Sequence, residues 1–229
     1  MALELQRALA EAGRDPNVRA ILLTGEGKAF CSGQDLSEAV DPQGPGLDRI
    51  LSEHYNPLVL QIRSLRKPVV VAVNGVAAGA GANLALAGDV VIAAHSAKFI
   101  QAFSKIGLIP DTGGTLILPR LAGFAKASAW MMLADGVSAE EAERHGLVYR
   151  VVADESLADE AMALSQKLAA MPTEALALTK EALNSTVFEG FSKQLELERE
   201  LQIRAGATAD FAEGVASFLE KRQPKFRGQ

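Results

Sequence analysis

The stretch from Lys67 to Asp89, KPVVVAVNGVAAGAGANLALAGD, constrains the fold of this chain more than any other part of it. Its first half, Pro68–Val73, is a continuous run of small and β-branched apolar residues, which predicts a strand buried on both faces. A turn almost without side chains follows at Ala77–Gly81, and Ala82–Ala87 suits a closely packed helix. The sequence therefore predicts a buried strand that leads through a glycine-rich turn into a helix.

Such a turn presents free backbone N–H groups at the start of a helix, where the helix dipole favours negative charge. It can bind a phosphate, or an oxyanion that forms during a reaction. A second interpretation is that the small residues only permit close packing of the helix on the strand. A lone glycine-rich turn does not decide between the two.

Length and charge limit the classes of function. The chain has 229 residues, enough for one large domain or for a main domain with an appendage. Its formal net charge of −5 argues against nucleic acid as a partner, and no apolar run is long enough to span a membrane. The single cysteine, Cys31, and three separated histidines predict neither a disulfide nor a metal site. We therefore expect a cytoplasmic protein.

The rest of the chain alternates strands and helices and then becomes helical. Strands are predicted at Val18–Thr24, Asp89–Ala94 and Ala97–Phe99, and a helix with a kink at Pro57 is predicted from Leu47 to Ser64. After residue 121 most segments have helical periodicity. This change predicts an α/β core followed by a helical C-terminal region.

Two polar segments are candidates for chemistry. In the loop GEGKAFCSGQDL, Ser32 presents its backbone N–H beside flexible Gly33, although Ser32 and Asp35 could equally cap a helix. Asp111 lies between apolar residues and a Gly-Gly pair in IPDTGG. Apolar surroundings raise the pKa of a carboxyl group and suit a general acid or base, whereas a helix cap by Asp111 or Thr112 is the alternative.

Four stretches, in this order along the chain, resemble the crotonase (enoyl-CoA hydratase/isomerase) superfamily. They are KAFCSGQDL at Lys28–Leu36, the stretch Lys67–Asp89, IGLIPDTGGT at Ile106–Thr115 and SAEEAERHGLV at Ser138–Val148. The resemblance covers nearly the whole chain. It implies an α/β fold, a crotonase-like spiral of β-β-α units with a helical C-terminal trimerisation region.

The resemblance also implies how the chain is divided and what it binds. Residues 1–121 would form the spiral core with the acyl-CoA site, and residues 122–229 the helical region. The substrate would be an acyl-CoA thioester with no separate cofactor, and the assembly a homotrimer or a dimer of trimers. Relatives begin with a β-hairpin that this sequence lacks at its start. Either the sequence is truncated there, or a sheet edge stays uncovered.

Site residues are assigned by matching motifs. The resemblance implies that the backbone N–H groups of Ser32 and Ala80 hold the thioester oxygen and that Asp111 is the acid or base. The substrate contacts that it implies are Lys28, Phe30, Gly33, Gln34, Asp35, Leu36, Gly79, Asn83, Phe103, Lys225 and Phe226.

Departures from the family pattern indicate the reaction. Hydratases of the family handle water with two glutamates, and this chain has Asn83 and Phe103 at the matching positions. Asp111 is the carboxylate that remains, at a position used by several isomerases, so we expect a one-base proton transfer. Three stretches, Gly75–Asp89, Ala102–Thr115 and Glu213–Gly228, resemble an isomerase of bacterial phenylacetate degradation. An isomerase of aliphatic enoyl-CoA thioesters and a non-catalytic acyl-CoA-binding subunit are the alternatives.

Overall fold

Two sheets of four strands form the centre of the protein, whose computed structural model describes residues 1–229. The strands are β1 (Ile21–Thr24), β2 (Ala29–Cys31), β3 (Val69–Val73), β4 (Val76–Ala78), β5 (Val90–Ala94), β6 (Lys98–Ile100), β7 (Gly136–Ser138) and β8 (Arg150–Val152). The first sheet has the order β1-β3-β5-β8 with every pair parallel. The second has the order β2-β4-β6-β7, in which β7 runs antiparallel to β6.

Twelve α-helices surround the sheets and fill the C-terminal part of the chain. They are α1 (Ala2–Arg14), α2 (Leu36–Val40), α3 (Gly46–Arg49), α4 (Asn56–Ser64), α5 (Ala80–Leu86), α6 (Gly114–Ala122), α7 (Phe124–Leu133), α8 (Ala139–Arg144), α9 (Leu157–Ala170), α10 (Thr173–Val187), α11 (Phe191–Gly206) and α12 (Ala209–Leu219). A π-helical segment at Ile50–Tyr55 joins α3 to α4, and 3-10 turns lie at Ala102–Ile106 and Asp154–Ser156. No helix is both long enough and apolar enough to cross a membrane.

The chain passes from one sheet to the other in a repeated order. β1, β3 and β5 each enter the first sheet, and the strand that follows each of them enters the second. Helical segments lie between successive strand pairs, so the path is a spiral of β-β-α units. The predicted α/β fold is confirmed.

The central strand confirms the prediction made from its composition. All five residues of β3 are at most 2% exposed, because β1 and β5 flank the strand and other elements cover both faces of the sheet. A strand buried on both faces has no solvent-facing side, so its sequence is a continuous apolar run and does not alternate with polar residues. The first sheet is therefore built around the run Val69–Val73.

Several predicted boundaries are wrong. The strand predicted at Val18–Thr24 begins only at Ile21 and is half-buried. The helix predicted at Leu47–Ser64 is matched by a continuous helical run from Gly46 to Ser64, in which Ile50–Tyr55 is π-helical. Pro57 lies inside this run, two residues after the π-helical segment ends. β2, β4 and β7 have three residues each, too few for a periodicity to reveal.

The strand-bearing part of the protein extends beyond residue 121. β7 pairs with β6, and β8 pairs with β5, so each sheet receives its last strand from the segment 136–152. The purely helical part begins after Val152. At the opposite side, β1 is the edge strand of the first sheet.

A buried group of charges ties α10 to the first sheet. The Asp89 carboxylate forms an ion pair with Arg63 (2.9 Å) and accepts hydrogen bonds from Lys180 (2.7 Å) and from the backbone N–H of Val69 (2.8 Å). Lys180 and Arg63 are 6% and 7% exposed. Desolvation lowers the pKa of both cations, against the opposing effect of Asp89. One carboxylate therefore compensates two cations in a setting with little water.

We predict that Asp89→Asn destabilises the fold by about 3–5 kcal/mol, since it leaves two buried cations without a counter-charge. The measurement is urea denaturation at pH 7. A matched control is Glu174→Gln, which breaks an exposed ion pair with Arg66 and should cost about 1 kcal/mol or less. Similar midpoints for the two variants would contradict the structural importance of the buried group.

Candidate active site

Two backbone turns meet at one edge of the second sheet. Ser32 and Gly33 follow β2, and Gly79 and Ala80 follow β4. Since β2 and β4 are parallel neighbours, with Cys31 opposite Ala77, both turns leave the sheet at the same end. A Cβ added to Gly33 would lie 3.2 Å from the Ala78 carbonyl oxygen and 3.5 Å from the Ala80 nitrogen. The two turns are therefore in direct contact.

Glycine is required at two points of this contact. Gly79 has φ 54° and ψ −130°, a conformation that residues with a side chain avoid. Gly81 packs against β2 so closely that a Cβ would lie 2.2 Å from the Cys31 carbonyl oxygen. The small residues permit close packing of α5 on β2, which was one interpretation of the sequence. The same packing brings the two turns together, as the other interpretation, an anion-binding turn, requires.

The contact leaves two backbone donors free. The N–H groups of Ser32 and Ala80 donate to no other group of the chain. Ala80 is the first residue of α5, so its N–H belongs to the donors that a helix cannot pair internally. Two adjacent unpaired N–H groups suit an oxygen atom that becomes negatively charged during a reaction.

Asp111 is buried in the loop between the 3-10 turn at Ala102–Ile106 and α6. Its side chain accepts hydrogen bonds from the Thr112 hydroxyl (2.7 Å) and from Nε2 of Gln202 (2.8 Å). The residue is 6% exposed, and burial raises the pKa of Asp111 to about 6, although the two hydrogen bonds act in the opposite direction. A carboxyl group with this pKa is largely ionised at neutral pH and can still exchange a proton readily.

The backbone beside Asp111 is strained. Thr112 has φ 57°, in the left-handed region that β-branched residues rarely adopt. Strain of this kind is retained where surrounding contacts fix the backbone, and it is frequent at functional sites.

A chain of buried amides holds the Asp111 loop against α5. Nδ2 of Asn83 donates to the Asp111 carbonyl oxygen (2.7 Å), and Nε2 of Gln101 donates to Oδ1 of Asn83 (2.8 Å). Asn83 lies one helical turn after Ala80, so this chain of amides holds the Asp111 backbone against α5 close to the second turn. Asn83 is fully buried, with both polar atoms of its amide occupied. In this arrangement it supports the loop and has no surface left for the substrate contact that we expected.

Helix α11 supplies two residues that sequence reasoning missed. Glu198 accepts hydrogen bonds from the backbone N–H groups of Gly113 (2.7 Å) and Thr115 (2.9 Å), and Gln202 reaches Asp111 from the next turn of the same helix. Glu198 is 1% exposed, and burial raises its pKa to about 7 against the effect of these hydrogen bonds. The expected cap of α6 by Asp111 or Thr112 is therefore wrong, because Glu198 takes that role.

Of the other residues that we expected to contact the substrate, two make local hydrogen bonds near α2 and two are buried aromatic side chains. Asp35 accepts from the Ser37 N–H (2.9 Å), so the capping interpretation is right for this residue, and the Ser37 hydrogen bonds lower its pKa. Gln34 donates to Glu38 (2.6 Å). Phe30 is part of the main hydrophobic core, whereas Phe103, 6% exposed, lies under the glycine turn. Its ring is 3.7 Å from the place of a Cβ on Gly79.

The C-terminal tail packs on α12. The backbone N–H of Lys225 donates to Glu213 (2.7 Å), and Arg222 pairs with the same carboxylate (2.6 Å). Phe226 is 43% exposed. No hydrogen bond joins Lys28, Lys225 or Phe226 to either turn. Leu36 contacts the cluster that contains Phe103 and residues of α12.

Two cavities lie away from the paired turns. One, of about 700 Å³, is lined by α12 and the tail, and the other, of about 810 Å³, lies mainly among apolar residues of α9, α10 and the first sheet. Neither is lined by Ser32, Ala80 or Asp111. The paired turns are the candidate site, because two unpaired backbone donors lie there and the loop of the buried Asp111 is hydrogen-bonded to the adjoining helix α5.

Comparison with known proteins identifies the family. The sequence matches the enoyl-CoA hydratase/isomerase family over residues 1–229, and the chain belongs to that family. It is 52% identical to a protein of Escherichia coli (strain K12) named 1,2-epoxyphenylacetyl-CoA isomerase, over 100% of this chain and 88% of the relative. It is 49% identical to a probable enoyl-CoA hydratase of Rhodobacter capsulatus, over 98% of this chain and 85% of the relative.

Solved structures agree with this assignment. The crystal structure of an enoyl-CoA hydratase from Mycobacterium avium subsp. paratuberculosis K-10 superimposes with a TM-score of 0.88 at 34% identity. The similarity covers 98% of this chain and 86% of the other.

We predict that Gly81→Ala destabilises the protein by about 1–3 kcal/mol, because the added methyl group collides with β2. Helix propensity alone predicts the opposite sign, a gain of up to about 1 kcal/mol. The control is Gly136→Ala, for which the nearest atom is 3.9 Å from the new methyl group. Chemical denaturation measures both variants, and a Gly81→Ala protein as stable as wild type would contradict the close contact between the turns.

Proposed function

We propose that this protein is an acyl-CoA isomerase that transfers a proton through a thioester enolate. The observation that supports the proposal is the buried Asp111 carboxyl group, whose pKa is raised to about 6, in a loop that is hydrogen-bonded to α5 one helical turn from the unpaired Ala80 N–H. Asp111 removes the proton beside the thioester, and the electron pair moves onto the thioester oxygen. The N–H groups of Ser32 and Ala80 stabilise that oxygen. One such donor is worth roughly 3 kcal/mol in the transition state.

The proposed substrate is 2-(1,2-epoxy-1,2-dihydrophenyl)acetyl-CoA, and the product is an oxepin-CoA formed during phenylacetate catabolism. The support is the name of the relative from E. coli, which is 52% identical over the full length of this chain. An isomerisation leaves the composition of the substrate unchanged, so the proton that Asp111 accepts must return to another carbon as the ring expands. One carboxyl group can do both steps, and the reaction needs no cofactor.

Isomerisation fits the residues of the site better than hydration does. The relative from R. capsulatus is named a probable hydratase, but activation of water for addition to a double bond takes an acid and a base beside the substrate. Asn83 has both amide atoms engaged in buried hydrogen bonds, and Phe103 carries no ionisable group. A single carboxylate suits proton transfer within one molecule.

We further propose a homotrimer or a dimer of trimers in the cytoplasm. Exposed apolar side chains on α7 support association between copies: Phe124 is 79% exposed, Met132 74% and Leu133 64%. The lone free cysteine, Cys31, suits a reducing compartment.

Asp111→Asn tests this proposal. We expect the rate constant for turnover of the epoxide thioester to fall by about 10²–10⁴-fold, while the affinity for CoA thioesters changes little. In the wild type, kcat/KM should rise with pH and level off above about pH 6, where Asp111 becomes ionised. Product formation followed by liquid chromatography measures both effects, and an aliphatic 3-enoyl-CoA assayed in parallel reports on the alternative substrate.

Stability measurements show whether the variant is folded. Burial raises the pKa of Asp111 in the folded protein from its ordinary value of 3.8 to about 6. The stability that this carboxyl group contributes is therefore fully present below about pH 3.8, and it is lost as the pH rises through about 6. Asp111→Asn should therefore raise the Tm at pH 8 more than at pH 5. Exposed Asp159→Asn is the matched control. Turnover retained in Asp111→Asn would overturn the proposed mechanism.

A further inference from the structure

Tyr55 is a buried residue beside the paired turns to which the sequence analysis assigned no role. It ends the π-helical segment Ile50–Tyr55 and is 2% exposed. Its neighbours in a small apolar cluster are Ala39, Ile50 and Ala80, so the ring packs directly at the start of α5. π-Helical turns are rare and occur frequently at functional sites, since the wider turn redirects side chains.

The hydroxyl group of Tyr55 has no hydrogen-bond partner in the chain. Buried tyrosine hydroxyls nearly always have one. The polar side-chain atoms that are enclosed without a partner are Oδ1 of Asn56, Oε1 of Gln101 and Nε of Arg150, and the Tyr55 oxygen is not among them. The oxygen is therefore not sealed in the core: it reaches open space while the ring is held by apolar contacts. A hydroxyl in this position is available to a ligand.

Tyr55 lies near residues of both halves of the site, Cys31 and Asp111. Burial raises the pKa of its phenol well above the usual range, and negative charge on Asp111 and Glu38 raises it further. Cys31 precedes the donor residue Ser32 in the chain, and Asp111 is the proposed base. The phenol therefore stays protonated and neutral, as a hydrogen-bond donor between these two halves.

We infer that Tyr55 determines specificity by donating a hydrogen bond from its hydroxyl group to an oxygen atom of the acyl group. The inference rests on the proposed function, because it takes the acyl group to lie between the paired turns and Asp111. The thioester oxygen already has two backbone donors. A third donor offset from it suits an oxygen farther along the acyl group, as a ring epoxide or hydroxyl provides. An aliphatic enoyl chain offers no such oxygen and would leave the hydroxyl unpaired.

The test compares the binding of two unreactive thioesters that differ in one oxygen atom. Phenylacetyl-CoA and 2-hydroxyphenylacetyl-CoA are titrated by calorimetry into wild-type protein and Tyr55→Phe. We expect Tyr55→Phe to weaken binding of the hydroxylated thioester by about tenfold, equivalent to about 1.4 kcal/mol, and to change binding of phenylacetyl-CoA by less than about twofold. Tyr149→Phe, at the other tyrosine of the chain, is the control: that side chain is 66% exposed, and neither affinity should change.

Three results would overturn the inference. Unchanged affinities in Tyr55→Phe would mean that the hydroxyl contacts no ligand oxygen, and equal weakening for both thioesters would mean that Tyr55 only supports packing. Failure of wild-type protein to bind either thioester would remove the inference together with the acyl-CoA site. Because no turnover is measured, the selective loss can be found even if the proposed epoxide substrate is wrong. The first two results would therefore overturn the inference and leave the proposed reaction standing.

Discussion

The close approach between the end of β2 and the start of α5 is the contact on which the site depends. Gly81 has no Cβ because the Cys31 carbonyl oxygen occupies that volume, and Gly33 lies against the Ala78–Ala80 backbone in the same way. Two unpaired N–H groups are left side by side as a consequence. The donors belong to the main chain, so their positions depend on backbone packing and on the buried strand β3 behind them. Rigid elements thus provide the preorganisation that an oxyanion requires.

In the proposed reaction, the ability of Asp111 to act as a base depends on a balance between desolvation and hydrogen bonding. Burial favours the neutral acid, whereas hydrogen bonds from Thr112 and Gln202 favour the carboxylate. Desolvation is the larger effect, so the pKa rises, but the hydrogen bonds keep it at about 6. Without them burial would raise the pKa of Asp111 further and leave less of the carboxylate form to act as a base. Helix α11 therefore contacts the Asp111 carboxylate, the base in the proposed reaction, through Gln202, and through Glu198 it holds the adjacent start of α6.

Features that depend on neighbouring residues could be predicted from the sequence. The run Val69–Val73 identifies the central strand, and the glycines at 79 and 81 identify the turn. Features that depend on contacts between distant segments could not. Glu198 and Gln202 lie in the charged stretch ELERELQIR, where nothing distinguishes a buried carboxylate or amide from a solvated one. Their partners lie more than 80 residues away in the chain, so only the tertiary fold reveals them.

The most direct test of the site is a crystal structure with phenylacetyl-CoA, which lacks the epoxide and does not react. We expect the thioester oxygen to lie about 2.7–3.1 Å from the nitrogens of both Ser32 and Ala80. We also expect an Asp111 carboxylate oxygen about 3–3.5 Å from the carbon beside the thioester. A thioester bound in the cavity among α9 and α10, or an Asp111 carboxylate turned away from that carbon, would contradict this expectation.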